Sequence, residues 1–243
     1  MSFLLTFIAG FSTMLGTFLI FFKIKKINKF IASSLAFASG VMFIISIFDL
    51  IPESLKLIKT NNSFFTIIMS FFFIFLGILI SMIINYFLPE EKIYKDNKLY
   101  KVGLISMVAI VLHNIPEGIA TFIAGNNNTS LAIDITIAIA LHNIPEGISI
   151  AVPIYYSTKS KSKALLYTLI SSISEPFGAL LAFLFLKNFI NDTILGILFA
   201  IIAGIMLNIS LCELLPTSKK YDYKKLTIIF FIVGIIFMAL FCL

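Results

Sequence analysis

The chain has 243 residues, 60% hydrophobic and only 12% charged, against roughly 45–50% and about 25% in soluble domains. So much apolar surface needs a lipid solvent, which excludes an ordinary soluble enzyme or binding module. The formal charge of +6 comes from lysine alone, grouped in short stretches without a nucleic-acid-reading motif, so no nucleic-acid partner is expected and the charge reports topology.

About 20 apolar residues cross a bilayer core of roughly 30 Å. Windows of that length fall near 2–22, 31–55, 64–88, 102–124, 130–155, 163–187, 192–215 and 226–243, predicting an all-α integral membrane protein of eight transmembrane helices. The first window lacks a basic n-region and a cleavage site and reads as a retained helix. The longest polar link, Pro89 to Lys101, has the length of a connection, so residues 1–243 are expected to form a single transmembrane domain. Cys212 and Cys242 lack CxxC or Cys/His spacing and are expected to pack without a metal or disulfide role.

Positive charge stays on the cytoplasmic side of short loops. Fifteen of the 18 basic residues fall between spans one and two (Lys23, Lys25, Lys26, Lys29), three and four (Lys92, Lys95, Lys98, Lys101), five and six (Lys159, Lys161, Lys163) and seven and eight (Lys219, Lys220, Lys224, Lys225). Lys56, Lys59 and Lys187 lie on the other side. Both termini are therefore expected outside the cytoplasm, in a multi-pass protein of the cell (inner) membrane.

Against this apolar background, six acidic residues and both histidines lie within or at the edges of the spans. Each charge costs about 2.5–3.5 kcal/mol or more at a helix centre unless paired, hydrated or bound to a cation. Helix two carries Asp49 and Glu53 toward the outer mouth. Helix four carries the string His113-Asn114-Ile115-Pro116-Glu117-Gly118, which sets His113, Asn114 and Glu117 on one face. Helix five repeats it with His142, Asn143 and Glu146, helix six has Glu175 at its centre, and helix seven carries Glu213 toward the inner mouth.

Imidazole nitrogen with carboxylate and amide oxygen, and no thiolate, suits first-row divalent ions. Pro116 and Pro145 leave the carbonyls of Leu112 and Leu141 without their N–H partners. Three helices thus bring ligands to one membrane depth, where transporters bind substrate. The strings Asp49-Leu50-Ile51-Pro52 and Glu213-Leu214-Leu215-Pro216, on helices of opposite direction, suggest an inverted repeat of helices 1–3 and 6–8 around 4–5.

The paired HNIPEG strings, the Ser-Glu-Pro at 174 to 176 and the Glu-Leu-Leu-Pro of helix seven resemble the ZIP (Zrt/Irt-like protein) metal transporters, closest to the short prokaryotic branch. The resemblance covers essentially the whole chain. It implies uptake of zinc above all, or of iron(II), manganese, cobalt or cadmium, into the cytoplasm, with no cofactor besides the cargo, and it implies homodimers. It also implies a binuclear centre, one ion on His113, Glu117, His142 and Glu146, the second on Asn114, Glu117, Asn143, Glu146 and Glu175. Some relatives carry a carboxylate where Asn143 stands, which implies a weaker or differently selective second ion. The histidine-rich loop common between helices three and four is absent, and only Glu90, Glu91 and Asp96 offer oxygen there.

The rival reading is an intramembrane metalloenzyme. It is disfavoured because the order is His-x-x-x-Glu, with neither HExxH nor the Glu-x-x-His of di-iron bundles.

Overall fold

The computed structural model describes residues 1–58, 62–88, 96–127, 129–186 and 191–242. The expectations placed on Lys59, Glu90, Glu91, Lys92, Lys95, Lys187 and the Cys242 side chain lie outside the described residues. The structure is helical, without strands among the described residues. Its helices are α1 (Ser2–Phe21), α2 (Ile27–Leu57), α3 (Ser63–Phe87), α4 (Asn97–Asn127), α5 (Thr129–Thr158), α6 (Lys161–Leu184), α7 (Asp192–Lys219) and α8 (Lys224–Cys242). The first seven are long and apolar enough to span a membrane, and α8 supplies the eighth predicted segment. Several helices outrun their apolar windows because their last turns continue into polar sequence. Asn62, Ser160 and Asn191 cap the starts of α3, α6 and α7 with side-chain oxygens.

Contacts sort the helices into two groups: α1, α4, α5 and α6 pack together, as do α2, α3, α7 and α8, with α2 against α5 as a seam between them. Within each group, glycines let backbones touch, as is usual where no hydrophobic drive separates helix from lipid. A Cβ on Gly118 of α4 would strike the carbonyl of Glu175 in α6, and one on Gly178 would strike the carbonyl of Ile115. The α5–α1 contact repeats this, with Gly147 on Thr13 and Gly16 on Ile144. In the other group, Gly40 meets Phe231 and Gly234 meets Phe37 between α2 and α8, while Gly204 meets Ile74 and Gly77 meets Ile201 between α7 and α3.

In all eight cases the glycine's partner stands three residues before the glycine that returns the contact. The register equates α1 with α6, α2 with α7, α3 with α8 and α4 with α5: the inverted repeat that the short strings suggested.

The repeat extends to a shared backbone distortion. Pro52 and Pro216 cannot accept a normal helical turn in front of them, and each is preceded by a π-helical turn, Ser46–Leu50 and Ile209–Leu214. In these turns the N–H of Ile51 donates to the Ser46 carbonyl and that of Leu215 to the Ser210 carbonyl. Asp49 and Glu213 sit on these widened turns, a common device for presenting a functional side chain.

Candidate metal centre

The first turn of each HNIPEG string delivers a histidine, and its next turn a glutamate, to the interface between α4 and α5. Nε2 of His142 lies 2.9 Å from Oε1 of Glu117. Nε2 of His113 lies 3.4 Å from Oε2 of Glu117 and 3.5 Å from Oε1 of Glu146. The two imidazole rings are 6.1 Å apart. Ligand atoms of His113, Glu117 and His142 all fall within 4.8 Å of one another, close enough to share one ion. All four side chains are buried.

The asparagines lie one residue around the helix and face the flanking helices. Nδ2 of Asn143 donates to the Ala9 carbonyl at 2.9 Å and to Oε2 of Glu175 at 3.0 Å. Nδ2 of Asn114 donates to the Ser171 carbonyl at 3.1 Å. Each amide spends its hydrogens on a neighbouring helix and keeps its oxygen for the interior.

Those oxygens have no partner, and neither do most of the atoms around them. Among the described residues, buried atoms without a hydrogen bond include Nδ1 and Nε2 of His113, Oδ1 of Asn114, Oε2 of Glu117, Oδ1 of Asn143, both carboxylate oxygens of Glu146 and Oε1 of Glu175. An unsatisfied buried polar group costs about 1–3 kcal/mol, and more when charged. Six oxygens and the one lone-pair nitrogen of a neutral His113 form an electron-rich pocket suited to a cation. Neutral imidazole, carboxylate and amide oxygen match the preferences of divalent ions such as zinc.

A cavity of about 490 Å³ leads to this cluster from the end of the bundle where α2 finishes. Asp49 and Glu53 line it, and Glu117 and His142 form part of its wall. Glu53 also pairs with exposed Lys56 at 3.1 Å. Thr121, one turn beyond Glu117, lines the same cavity and has an unpartnered buried hydroxyl. It continues the i, i+4, i+8 ladder begun by His113 and Glu117, a signal present in the sequence that attention to carboxylates passes over. Thr13 was likewise unexpected: it holds the place in α1 that Glu175 holds in α6, and its hydroxyl is also buried without a partner.

Toward the lysine-rich end the helices close. Ile105 and Ile110 precede His113 along α4, Ile150 and Ile154 follow Glu146 along α5, and with Met42 and Met206 they belong to one fully buried apolar cluster. Glu213 lies beyond that plug and is not brought to the centre. Asn85 donates to its Oε1 at 2.6 Å. At the same end, Tyr221 in the α7–α8 link donates its hydroxyl to Oδ2 of Asp96 at 2.9 Å, while Oδ1 of Asp96 accepts the N–H of Leu99 at the start of α4. Cys212, within α7, is a free exposed thiol and, among the described residues, joins no ligand group.

A polytopic helical bundle with a buried His/Glu cluster, reached by an acidic cavity from one end, is the design of a membrane transporter for divalent metal ions. The profile described as ZIP Zinc transporter matches residues 89–241. The chain is 41% identical to the Zinc transporter ZupT of Clostridium perfringens, over 98% of this chain and 94% of that protein. It is equally similar to the Zinc transporter ZupT of Streptococcus mutans, at 41% over 98% and 95%. That of Akkermansia muciniphila is 38% identical over 98% and 95%. The chain belongs to the ZIP family of metal transporters, and with that the metalloenzyme reading falls away.

Proposed function

We propose that the protein carries zinc, and with it iron(II), manganese, cobalt or cadmium, into the cytoplasm through the cluster on α4, α5 and α6. The observation that carries this reading is the concentration of unpartnered buried ligand atoms on His113, Asn114, Glu117, Asn143, Glu146 and Glu175. The names of the relatives favour zinc as the principal cargo.

In this reading Asp49 and Glu53 draw a hydrated ion into the cavity, and Glu117 and His142 meet it at the floor. The ion exchanges water for His113, Glu117, His142 and Glu146. A second ion is held by Asn114, Asn143 and Glu175, with Glu117 and Glu146 bridging. Release past Glu213 requires the apolar plug to part, as rocking of one helix group against the other would do. The lysine-rich end faces the cytoplasm, by the bias of positive charge, and both termini lie outside. Residues 1–243 act as one transport domain, and pairing of two chains is proposed on the resemblance alone. Ligation needs neutral imidazole and ionised carboxylate, so uptake is expected to decline as the medium is acidified.

Zinc uptake into proteoliposomes tests the reading. The wild-type chain is expected to accumulate zinc down an imposed gradient, and the variant carrying His113→Ala with Glu146→Ala to lose uptake to the background of empty vesicles. Equal uptake by both proteins would overturn the assignment of the site.

A further inference from the structure

A second hollow of about 610 Å³ lies on the flank of the bundle, and none of its lining is shared with the metal cavity. Its walls are apolar, among them Leu19 of α1, Phe37 of α2, Ile148 of α5 and Phe230 of α8. Lys26 and Lys29 stand at its mouth. We propose that this trough binds one anionic phospholipid, with the phosphate on Lys26 and Lys29 and an acyl chain along the apolar walls.

Depth supports a lipid. Phe37 stands ten residues beyond Ile27, the first residue of α2, about 15 Å along a helix, and Ile148 stands ten before Thr158, the last of α5. The trough thus runs from the bundle's lysine-rich end to about the middle of a bilayer core of roughly 30 Å, which is the thickness of one leaflet. Charge selects an anionic headgroup. No acidic residue precedes Asp49 in the chain, and among the described residues no ion pair reaches Lys26 or Lys29. Basic pockets between transmembrane helices are a recurring form of headgroup site.

The position gives such a lipid a role. Leu19 and Ile148 belong to the helix group that carries the metal centre, Phe37 and Phe230 to the other group, and Ile148 stands two residues from Glu146. A chain lying in the trough touches both groups at the seam between them, so its occupancy responds to, and biases, their relative motion.

Spin-labelled phosphatidylglycerol and phosphatidylcholine, compared in phosphatidylcholine vesicles containing the full chain, test the proposal. Wild-type protein is expected to immobilise the anionic probe in preference to the zwitterionic one. Lys26→Gln with Lys29→Gln removes that preference, by up to roughly fivefold in relative affinity per lysine. Lys224→Gln with Lys225→Gln, at the same end but outside the trough, leaves it. The immobilised phosphatidylcholine fraction, unchanged in all three, shows that the bundle remains folded. Absence of a preference in wild type, its survival in the Lys26/Lys29 variant, or an equal loss in both variants would overturn the proposal.

Discussion

The α4–α6 contact and the α5–α1 contact are one piece of construction used twice, in opposite directions. Asn114 donates to the carbonyl four residues before Glu175, and Asn143 to the carbonyl four residues before Thr13. The glycines that admit these approaches fall at matching places. Yet one copy carries a carboxylate at this position and the other a buried threonine hydroxyl. The two acidic π-turns differ in the same manner: Asp49 opens into the cavity, while Glu213 is held by Asn85 at the closed end. The backbone is nearly symmetric, and the chemistry and the closure are not. Alternating access in an inverted repeat would use this asymmetry, since exchanging the local arrangements of the halves would close the open end and open the closed one.

The largest effect is expected where the backbones touch. Gly118→Val and Gly147→Val each drive a side chain into a facing carbonyl, and overpacking of this kind costs about 1–3 kcal/mol or more. Both are expected to lower the thermal unfolding temperature of detergent-purified protein by similar amounts. A large loss from one beside no loss from the other would break the equivalence of the two contacts.

Next comes the chemical difference between Glu175 and Thr13. Glu175→Gln keeps an acceptor for Asn143 but removes a charge from the centre, so bound zinc measured at equilibrium is expected to fall from two ions per chain to one. Thr13→Val removes only an unpartnered hydroxyl and is expected to leave the stoichiometry intact, with stability unchanged or slightly raised. Equal effects of the two substitutions would mean that the centre does not distinguish the halves.

The smallest effect concerns the closed end. Burial, and then the Asp96 carboxylate, push the Tyr221 phenol well above its ordinary range, so it remains a donor at every physiological pH. Tyr221→Phe frees the α7–α8 link from α4, and transport is expected to change by roughly two- to tenfold, the scale of one hydrogen bond. Zinc affinity measured at equilibrium should not move. A changed affinity with unchanged rate would place Tyr221 in the site and not in the closure.

The spans and the clustering of the HNIPEG side chains were legible because both depend on local pattern. Apolar length marks a helix, and His113 with Glu117 share a face whatever surrounds them. The repeat was legible only where it left short strings, Asp49 to Pro52 against Glu213 to Pro216. Its fuller record lies in isolated glycines such as Gly40 and Gly204, whose equivalence depends on which helix each one meets. Thr13 gave no signal, since its meaning comes from standing opposite Glu175 across a symmetry that only the folded bundle displays. The plug of Ile105, Ile110, Ile150 and Ile154 was illegible for the opposite reason, because isoleucine in a membrane helix is its commonest content.

The central claim is that one divalent ion sits between the two HNIPEG strings. X-ray absorption at the zinc edge of zinc-loaded protein tests it most directly. The account predicts nitrogen and oxygen neighbours at about 2.0–2.1 Å, with no sulfur near about 2.3 Å, and an imidazole scattering signature that disappears in a His113→Ala, His142→Ala variant. A thiolate shell, or an imidazole signature that survives the double substitution, would contradict it.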